Sequence, residues 1–195
     1  MYKGTHGTCR SWGDDICKEG FNVSDPGRAG PGCYFWRYVQ DSTYANFMAF
    51  RWWQSESRKG NYAKAARNAD GKKCAIIKSS FQVEDAEVLD ISHGELKEHV
   101  RGLVKSSLIW ISDNGLPEDM TEEDVISSVF QSYVDEIGEE ESIAYKLVIA
   151  DLAVPKGAGG KIGLYFGASV ESIVVLDPSC ITIDGYEEIE SYEYI

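Results

Sequence analysis

Short apolar segments of strand length, alternating with helical segments, constrain the fold of this chain most. The strand-like segments include CAIIKSSFQV, AYKLVIADLAV and ESIVVLDPSCITI, and several are apolar on both faces. The helix-like segments include TYANFMAFRWWQSES, HGELKEHVRGLVKSS and TEEDVISSVFQSYVDEI. No Gly-x-Gly-x-x-Gly follows the first strand, as a doubly wound dinucleotide-binding fold would require. The pattern therefore predicts an α+β fold with antiparallel sheets.

The first third of the chain has clear local signals for its elements. Residues 1–8 are predicted to form a strand that ends in a small-residue turn. Ser11 to Glu19 should form a helix with Gly20 near its C-terminal cap. Cys33 to Trp36 is a short aromatic segment typical of a strand.

Further signals mark helix starts and shorter elements. Asp41 or Ser42 is expected to cap the helix that runs through TYANFMAFRWWQSES, and Thr121 the helix that begins TEEDV. NYAKAARNAD predicts a second helix after the tryptophan-rich one, and KIGLYFG predicts a strand.

Length and composition predict one folded domain. The chain has 195 residues, of which 43% are hydrophobic and 12% aromatic, enough for a packed core. We expect a single domain over residues 1–195 with a helical insertion around residues 93–138. No apolar run of about 18 residues and no signal-peptide pattern occurs. The expectation is a cytoplasmic protein without a membrane partner.

The cysteines and histidines argue against a disulfide framework and a metal site. The number of cysteines is odd and no two form a Cys-x-x-Cys, so reduced and mostly buried thiols are expected. The three histidines are dispersed and no His-Glu-x-x-His occurs, so no metal is predicted. The five cysteines are Cys9, Cys17, Cys33, Cys74 and Cys180.

Charge is unevenly distributed along the chain. The formal net charge is −13, which disfavours nonspecific binding to polyanions. Residues 51–78 are the exception, with eight Lys and Arg against only Glu56 and Asp70. Such a basic segment is either a phosphate-facing surface or a solvated helix face, and the sequence leaves both open.

Three stretches carry residues suited to chemistry. The first is His6-Gly7-Thr8, close to the N-terminus. The second is GPGCYFW, in which glycines precede Tyr34 and allow a ligand to approach the strand. The third is SVESIVV, where Glu171 is a lone acid in an apolar strand. Taken singly, each has an ordinary explanation: a turn histidine, a core tyrosine and a solvated acid.

The order and spacing of these stretches resemble the ADP-ribosyltransferase superfamily. H-G-T is followed by I-x-x-x-G-F, then by G-x-G-x-Y-F before an alanine-bearing helix, and by V-E-x-I-V near the C-terminus. The chain is most similar to the His-Tyr-Glu branch, which includes poly(ADP-ribose) polymerases and diphtheria-toxin-like enzymes. The motifs cover residues 4–54 and 162–185.

The resemblance implies a split pair of antiparallel sheets with NAD⁺ in the cleft between them. His6 would hydrogen-bond the adenosine ribose, and the Gly7 backbone would bind the nicotinamide carboxamide. Thr8 completes the nucleotide-binding motif, and Tyr34 would stack on the nicotinamide ring. The second stacking aromatic would come from the following helix, with Tyr44 as the candidate.

The second aromatic and the branch each have rivals in the sequence. Tyr44 lies one residue short of the usual offset, with Phe47 and Met48 nearby. Glu188 and Glu190 give the Glu-x-Glu spacing of the arginine-specific branch, but that branch also needs a Ser-Thr-Ser strand, which is missing from the sequence.

Glu171 is the expected catalytic carboxylate, together with His6 and Tyr34 as catalytic residues. By the resemblance, it would bond a hydroxyl of the nicotinamide ribose. Nicotinamide leaves with the electrons of its bond and creates an oxocarbenium-like sugar, as in glycoside cleavage. A fixed carboxylate stabilises such a cation, so NAD⁺ would be the co-substrate and no metal would be required.

The sequence thus predicts a mono-ADP-ribosyltransferase that modifies a macromolecule. The basic segment favours nucleic acid slightly over protein as the acceptor, while the overall acidity opposes it. The resemblance extends to stand-alone toxins of toxin–antitoxin or phage-defence systems, so an antitoxin partner is expected. Two alternatives remain: an NAD⁺ glycohydrolase, and an inactive module that binds NAD⁺, ADP-ribose or a partner protein.

Overall fold

The structure, a computed structural model, describes residues 1–23, 27, 29–63, 69–155 and 169–191. Within these ranges it contains seven strands and four α-helices. The strands are β1 (Tyr2–Cys9), β2 (Cys33–Arg37), β3 (Cys74–Phe81), β4 (Val88–Asp90), β5 (Leu147–Ala153), β6 (Ser169–Val175) and β7 (Ile181–Ile189). The helices are α1 (Arg10–Glu19), α2 (Thr43–Arg58), α3 (Gly94–Asn114) and α4 (Glu122–Glu141).

The strands form one mixed sheet in the order β4-β5-β6-β2-β1-β3-β7. The α+β class is therefore confirmed. The expected all-antiparallel pairing is wrong for one pair, because β4 and β5 run parallel. A parallel pair needs a long crossover, and the two helices α3 and α4 between β4 and β5 supply it. The remaining described pairings are antiparallel.

Helix α1 confirms the local signals at the N-terminus. It ends at Glu19, and the predicted C-cap, Gly20, has a φ of +86° that suits a residue without a side chain. The Gly20 N–H donates to the Ile16 carbonyl at 2.9 Å and satisfies one of the last carbonyls of the helix.

Helix α2 is the most buried helix and packs on the centre of the sheet. At its start, Asp41 rather than Ser42 supplies the side-chain bond, because Asp41 Oδ1 accepts from the Thr43 N–H at 2.9 Å. Met48, Ala49 and Phe50 are buried against the sheet.

Helices α3 and α4 occupy the segment predicted as a helical insertion. Thr121 caps α4 as expected, since its Oγ1 accepts from the Asp124 N–H and the Asp124 side chain accepts from the Thr121 N–H. Phe130 and Tyr133 of α4 are buried against the sheet. Helix α3 packs on α4 and has no buried residue.

Three predicted elements differ from the structure or lie outside it. In NYAKAARNAD, residues 64–68 lie outside the described residues, residues 61–63 form a turn, and Asp70–Lys72 forms a 3-10 turn. KIGLYFG also lies outside the described residues. ESIVVLDPSCITI contributes two strands, β6 and β7, because the 3-10 turn Pro178–Cys180 separates them. Pro178 lacks the N–H that a central strand needs.

Both faces of the sheet are covered. One face packs against α4 around Val148, Ala150 and Val174. The opposite face holds Phe35 of β2, Ile149 of β5 and Ile173 of β6. All five thiols are free and four are buried, as expected, with Cys17 exposed. Among the helices of the described ranges, none has the length and apolar content needed to cross a bilayer.

Candidate functional site

The sheet opens between β2, its central strand, and the neighbouring strand β1. These strands pair only at Gly4 with Arg37 and at Thr5 with Trp36. The Tyr38 N–H also donates to the Lys3 carbonyl at 3.1 Å. In this register the next hydrogen-bonded pair would be Gly7 with Tyr34, but the ladder ends before it.

The ring of His6 lies at this opening. Its Nδ1 is 2.9 Å from the Tyr34 carbonyl oxygen. A carbonyl oxygen only accepts, so Nδ1 carries the proton and donates it. Burial lowers the pKa of His6 from its ordinary value of 6.5, so the ring is neutral at pH 7. The neutral ring leaves Nε2 as a hydrogen-bond acceptor.

Gly7 presents backbone groups to the opening. Alternate residues of a central strand direct their N–H and C=O groups to opposite neighbours. Lys3 bonds toward β2, so Thr5 and Gly7 also direct their backbone groups toward β2. The lack of a side chain has a structural reason as well, because a Cβ on Gly7 would lie 1.9 Å from the Ala49 carbonyl oxygen of α2.

A cavity of about 540 Å³ lies at the opening, within the range of small-molecule sites. The predicted residues His6, Gly7, Thr8 and Tyr34 all line it. Its wall is mainly aromatic and apolar, with three acids. The other described lining residues are Trp12, Asp15, Ile16, Glu19, Gly20, Phe21, Asn22, Gly27, Gly32, Cys33, Phe35, Trp36, Trp52, Glu123, Leu152, Ala153 and Ser172.

Aromatic rings surround the histidine and account for its lowered pKa. The centroid of the Phe21 ring lies 5.4 Å from that of His6, at an interplanar angle of 85°. The Phe35 centroid lies 5.8 Å away on β2. These rings restrict water around the imidazole, which raises the free energy of its charged form.

Tyr34 contributes to the cavity wall but its hydroxyl is engaged elsewhere. The hydroxyl oxygen accepts from the Ala29 N–H at 2.9 Å and donates to the Gly30 carbonyl. The ring packs with Ala29 and the α4 side of the sheet. Because neighbouring strand residues point to opposite faces, Tyr34 and Phe35 lie on different faces of β2. The cavity is thus bordered by residues from both faces.

Glu171 lies beside the cavity rather than in its described wall, which instead includes the next residue, Ser172. Ser172 pairs with Trp36, so Glu171 is across from Arg37. The Arg37 Nη1 is 2.6 Å from the Glu171 Oε2, and the Glu171 side chain is 39% exposed. Residues opposite each other share a face, and Arg37 is opposite Gly4, two residues from His6. The structure therefore brings His6 and Glu171 to the same face.

Tyr44 lies apart from the cavity. It packs beside the cluster of Trp36, Met48 and Phe50 under α2. Neither Tyr44 nor its rivals Phe47 and Met48 is among the described lining residues, and the α2 aromatic that lines the cavity is Trp52. Sequence reasoning missed Trp52, although the dense aromatic content of α2 is the signal that points to it.

Sequence reasoning also missed Arg37 and Ser92. Arg37 is the one cation at the end of an aromatic strand, which is a weak signal by itself. Ser92 Oγ lies 3.4 Å from the Glu171 Oε1. Nothing in the local sequence links residues 37, 92 and 171, because their proximity depends on strand pairing.

Of the eight cations in the basic segment at residues 51–78, three within the described residues form ion pairs with acids. Lys59 pairs with Glu56 at 2.6 Å, within the segment. Lys73 contacts Glu190 at 3.2 Å, and Lys78 contacts Glu187 of β7 at 2.5 Å. These contacts favour the reading of a solvated charged face over that of a phosphate-facing surface.

No cluster of three or more His, Cys, Asp or Glu residues suited to a metal ion occurs in the part of the chain that the structure describes. No protein-family model, curated protein or solved structure matches this chain. The geometry of the site therefore carries the functional argument.

Proposed function

We propose that this protein is a mono-ADP-ribosyltransferase of the His-Tyr-Glu type that uses NAD⁺ as its co-substrate. The observation that carries the proposal is the opening between β1 and β2, where His6, Gly7, Thr8 and Tyr34 line one cavity. His6 and Tyr34 are 28 positions apart, yet the histidine ring bonds the tyrosine backbone. In this proposal, the opening between β1 and β2 of the single sheet takes the place of the cleft between the two sheets of the family.

The hydrogen-bonding pattern of the opening suits a nucleotide. The Nε2 of a neutral His6 can accept a hydrogen bond from a sugar hydroxyl. In a continued ladder, the Gly7 N–H would donate to the Tyr34 carbonyl, but His6 occupies that carbonyl instead. The Gly7 N–H and C=O then match the acceptor and donor of a carboxamide. The aromatic wall suits a planar nicotinamide ring.

The proposed reaction breaks the bond between C1′ of the ribose and the nicotinamide nitrogen. Nicotinamide leaves with the bonding electron pair, and C1′ becomes part of an oxocarbenium-like cation. A lone pair of the acceptor then forms the new bond to C1′, and the acceptor proton passes to solvent. Glu171 accepts a hydrogen bond from a ribose hydroxyl and stabilises the cation electrostatically.

The acceptor in this proposal is a macromolecule. The sequence favoured nucleic acid slightly because of the basic segment, but Lys59, Lys73 and Lys78 of that segment are paired with carboxylates. With a net charge of −13, the chain gains little attraction for a polyanion. These charges now favour protein. A role as a toxin or defence effector with an antitoxin rests on the resemblance alone.

The test compares Glu171→Gln with Asp151→Asn. Asp151 is the matched control because it lies opposite Glu171 in the register of β5 and β6 and also forms an ion pair. Purified proteins are incubated with ³²P-labelled NAD⁺ and cell extract, and nicotinamide release is quantified. We expect Glu171→Gln to lower release about 10²- to 10³-fold, as for the loss of one electrostatic group, and Asp151→Asn to retain activity.

Parallel digestion of the labelled product with protease and nuclease identifies the acceptor. Label removed by protease supports a protein acceptor, and label removed by nuclease supports a nucleic acid. If free ADP-ribose forms and no macromolecule is labelled, the reaction is NAD⁺ hydrolysis and not transfer. NAD⁺ binding without nicotinamide release would identify an inactive binding module. Equal release by wild type and Glu171→Gln would refute the catalytic role of Glu171.

A further inference from the structure

Arg37 and Glu171 form a short ion pair where β2 ends and β6 begins. The Arg37 Nη1 is 2.6 Å from the Glu171 Oε2, although 134 positions separate the two residues. Their side chains are 23% and 39% exposed. A partly exposed glutamate has several accessible rotamers, and ordering it costs conformational entropy. A fixed neighbour reduces the number of those rotamers.

The guanidinium of Arg37 is itself held on its other side. It lies over the Tyr2 ring, with 5.7 Å between the guanidinium carbon and the ring centroid, within the range of a cation–π contact. The Tyr2 hydroxyl donates to Asp85 Oδ1 at 3.2 Å. Arg37 is therefore a restrained donor supported by residues from two other segments.

The second carboxylate oxygen of Glu171 retains its capacity to accept. Ser92 Oγ is 3.4 Å from Glu171 Oε1 but only 2.7 Å from Asp90 Oδ1. The same Oγ lies 2.8 Å from His93 Nδ1, so its contact with Glu171 is the longest of the three. Arg37 occupies Oε2, and Oε1, which has two lone pairs, can accept a further hydrogen bond.

We propose that Arg37 is the positioning residue for Glu171: it holds Oε2 so that Oε1 points to the hydroxyl of the nicotinamide ribose. This inference rests on the proposed function. Arg37 acts through Glu171 and does not touch the reacting atoms. A planar guanidinium suits this role because it fixes the direction of its hydrogen bond, whereas an ammonium group supplies only a point charge.

The alternative is that the Arg37–Glu171 ion pair only stabilises the fold at the ends of β2 and β6 and has no role in catalysis. The chain offers a matched pair for comparison, because Lys97 Nζ contacts Asp151 Oδ2 at 2.5 Å, directly across the β5–β6 register from Glu171. The side chains of Lys97 and Asp151 are 24% and 26% exposed. Loss of the Lys97 pair controls for the structural effect of losing an ion pair at this end of the sheet.

The experiment is a double-mutant cycle with Arg37→Gln, Glu171→Gln and the combined variant, alongside Arg37→Lys and Lys97→Gln. Nicotinamide release is measured at varied NAD⁺ concentrations, and circular dichroism and thermal melting establish folding. We expect Arg37→Gln to lower kcat on the order of 10-fold or more, the cost of a misplaced catalytic group, with KM unchanged. Arg37→Lys should retain a higher kcat than Arg37→Gln. Lys97→Gln should have the kcat of wild type.

In the Glu171→Gln background, Arg37→Gln should have no further effect on kcat, because it acts through that carboxylate. Equal fold-losses in both backgrounds, or an equal loss from Lys97→Gln, would overturn the inference while the proposed function stands. If wild type and Glu171→Gln release nicotinamide at the same rate, Glu171 is not catalytic. The positioning role of Arg37 is then refuted as well. Absence of release by wild type refutes the proposed function itself.

Discussion

Replacing Gly7 by alanine tests the close approach of α2 to β1. The added Cβ would lie 1.9 Å from the Ala49 carbonyl oxygen and 2.5 Å from the Ala49 carbonyl carbon. Both neighbours are backbone atoms, so no side-chain rotation relieves the overlap. Helix α2 must move by more than 1 Å to reach ordinary contact distances, roughly 3.5–4 Å between carbon atoms. Buried residues of α2 and β1 must move with it.

We expect Gly7→Ala to lower the free energy of unfolding by about 3 kcal/mol, the upper part of the range for overpacking a core. For a chain of this size, 1 kcal/mol shifts Tm by about 2–4 °C, so Tm should fall by roughly 6–12 °C. Differential scanning calorimetry and urea titration measure both quantities.

The matched control for this prediction is Gly102→Ala in α3. The same methyl group added there meets no heavy atom within 4 Å and removes a glycine from a helix interior. Gly102→Ala should therefore stabilise the protein by about 0.5–1 kcal/mol. If Gly7→Ala melts within about 2 °C of wild type, the argument for a rigid α2–β1 contact is wrong.

Three further predictions follow from single groups. Because burial lowers the pKa of His6 from 6.5, folding stability should hold at pH 7 and fall as pH drops below 6.5, since the unfolded state binds the proton more readily. NAD⁺ affinity should fall at still lower pH, because protonation of His6 removes the acceptor at Nε2. Calorimetry from pH 7.5 to 5 measures both, and a pH-independent affinity would contradict the role of His6. Thiol titration of the native protein should show Cys17 reacting first, because burial raises the pKa of Cys33 to about 11 and that of Cys74 to about 12. Thr121→Ala should cost about 1 kcal/mol of stability by urea titration, and no change would mean that the α4 cap is frayed in solution.

The elements that were predictable from sequence depend on contacts between near neighbours. Gly20 ends α1 because a residue without a Cβ adopts positive φ readily. Thr121 begins α4 because its hydroxyl reaches a backbone N–H three residues away. The division of ESIVVLDPSCITI at Pro178 was also readable in principle, since proline interrupts a central strand.

The candidate site was partly predictable for a different reason. His6, Gly7, Thr8 and Tyr34 were chosen by an ordered motif pattern, and the structure brings them to one cavity wall. The chosen α2 aromatic, Tyr44, lies elsewhere, because the face that a helix turns to a cavity depends on how the whole helix docks.

The sequence by itself determined the α+β class, most element boundaries and the short list of reactive side chains, since propensity, capping and periodicity act over a few residues. Tertiary structure decided the sheet order, the opening of the ladder after Thr5, and the contact between Arg37 and Glu171. It also paired Lys73 and Lys78 of the basic segment with Glu190 and Glu187. Each of these depends on the register between strands distant in sequence, and a slip of one residue in that register would turn every side chain to the opposite face.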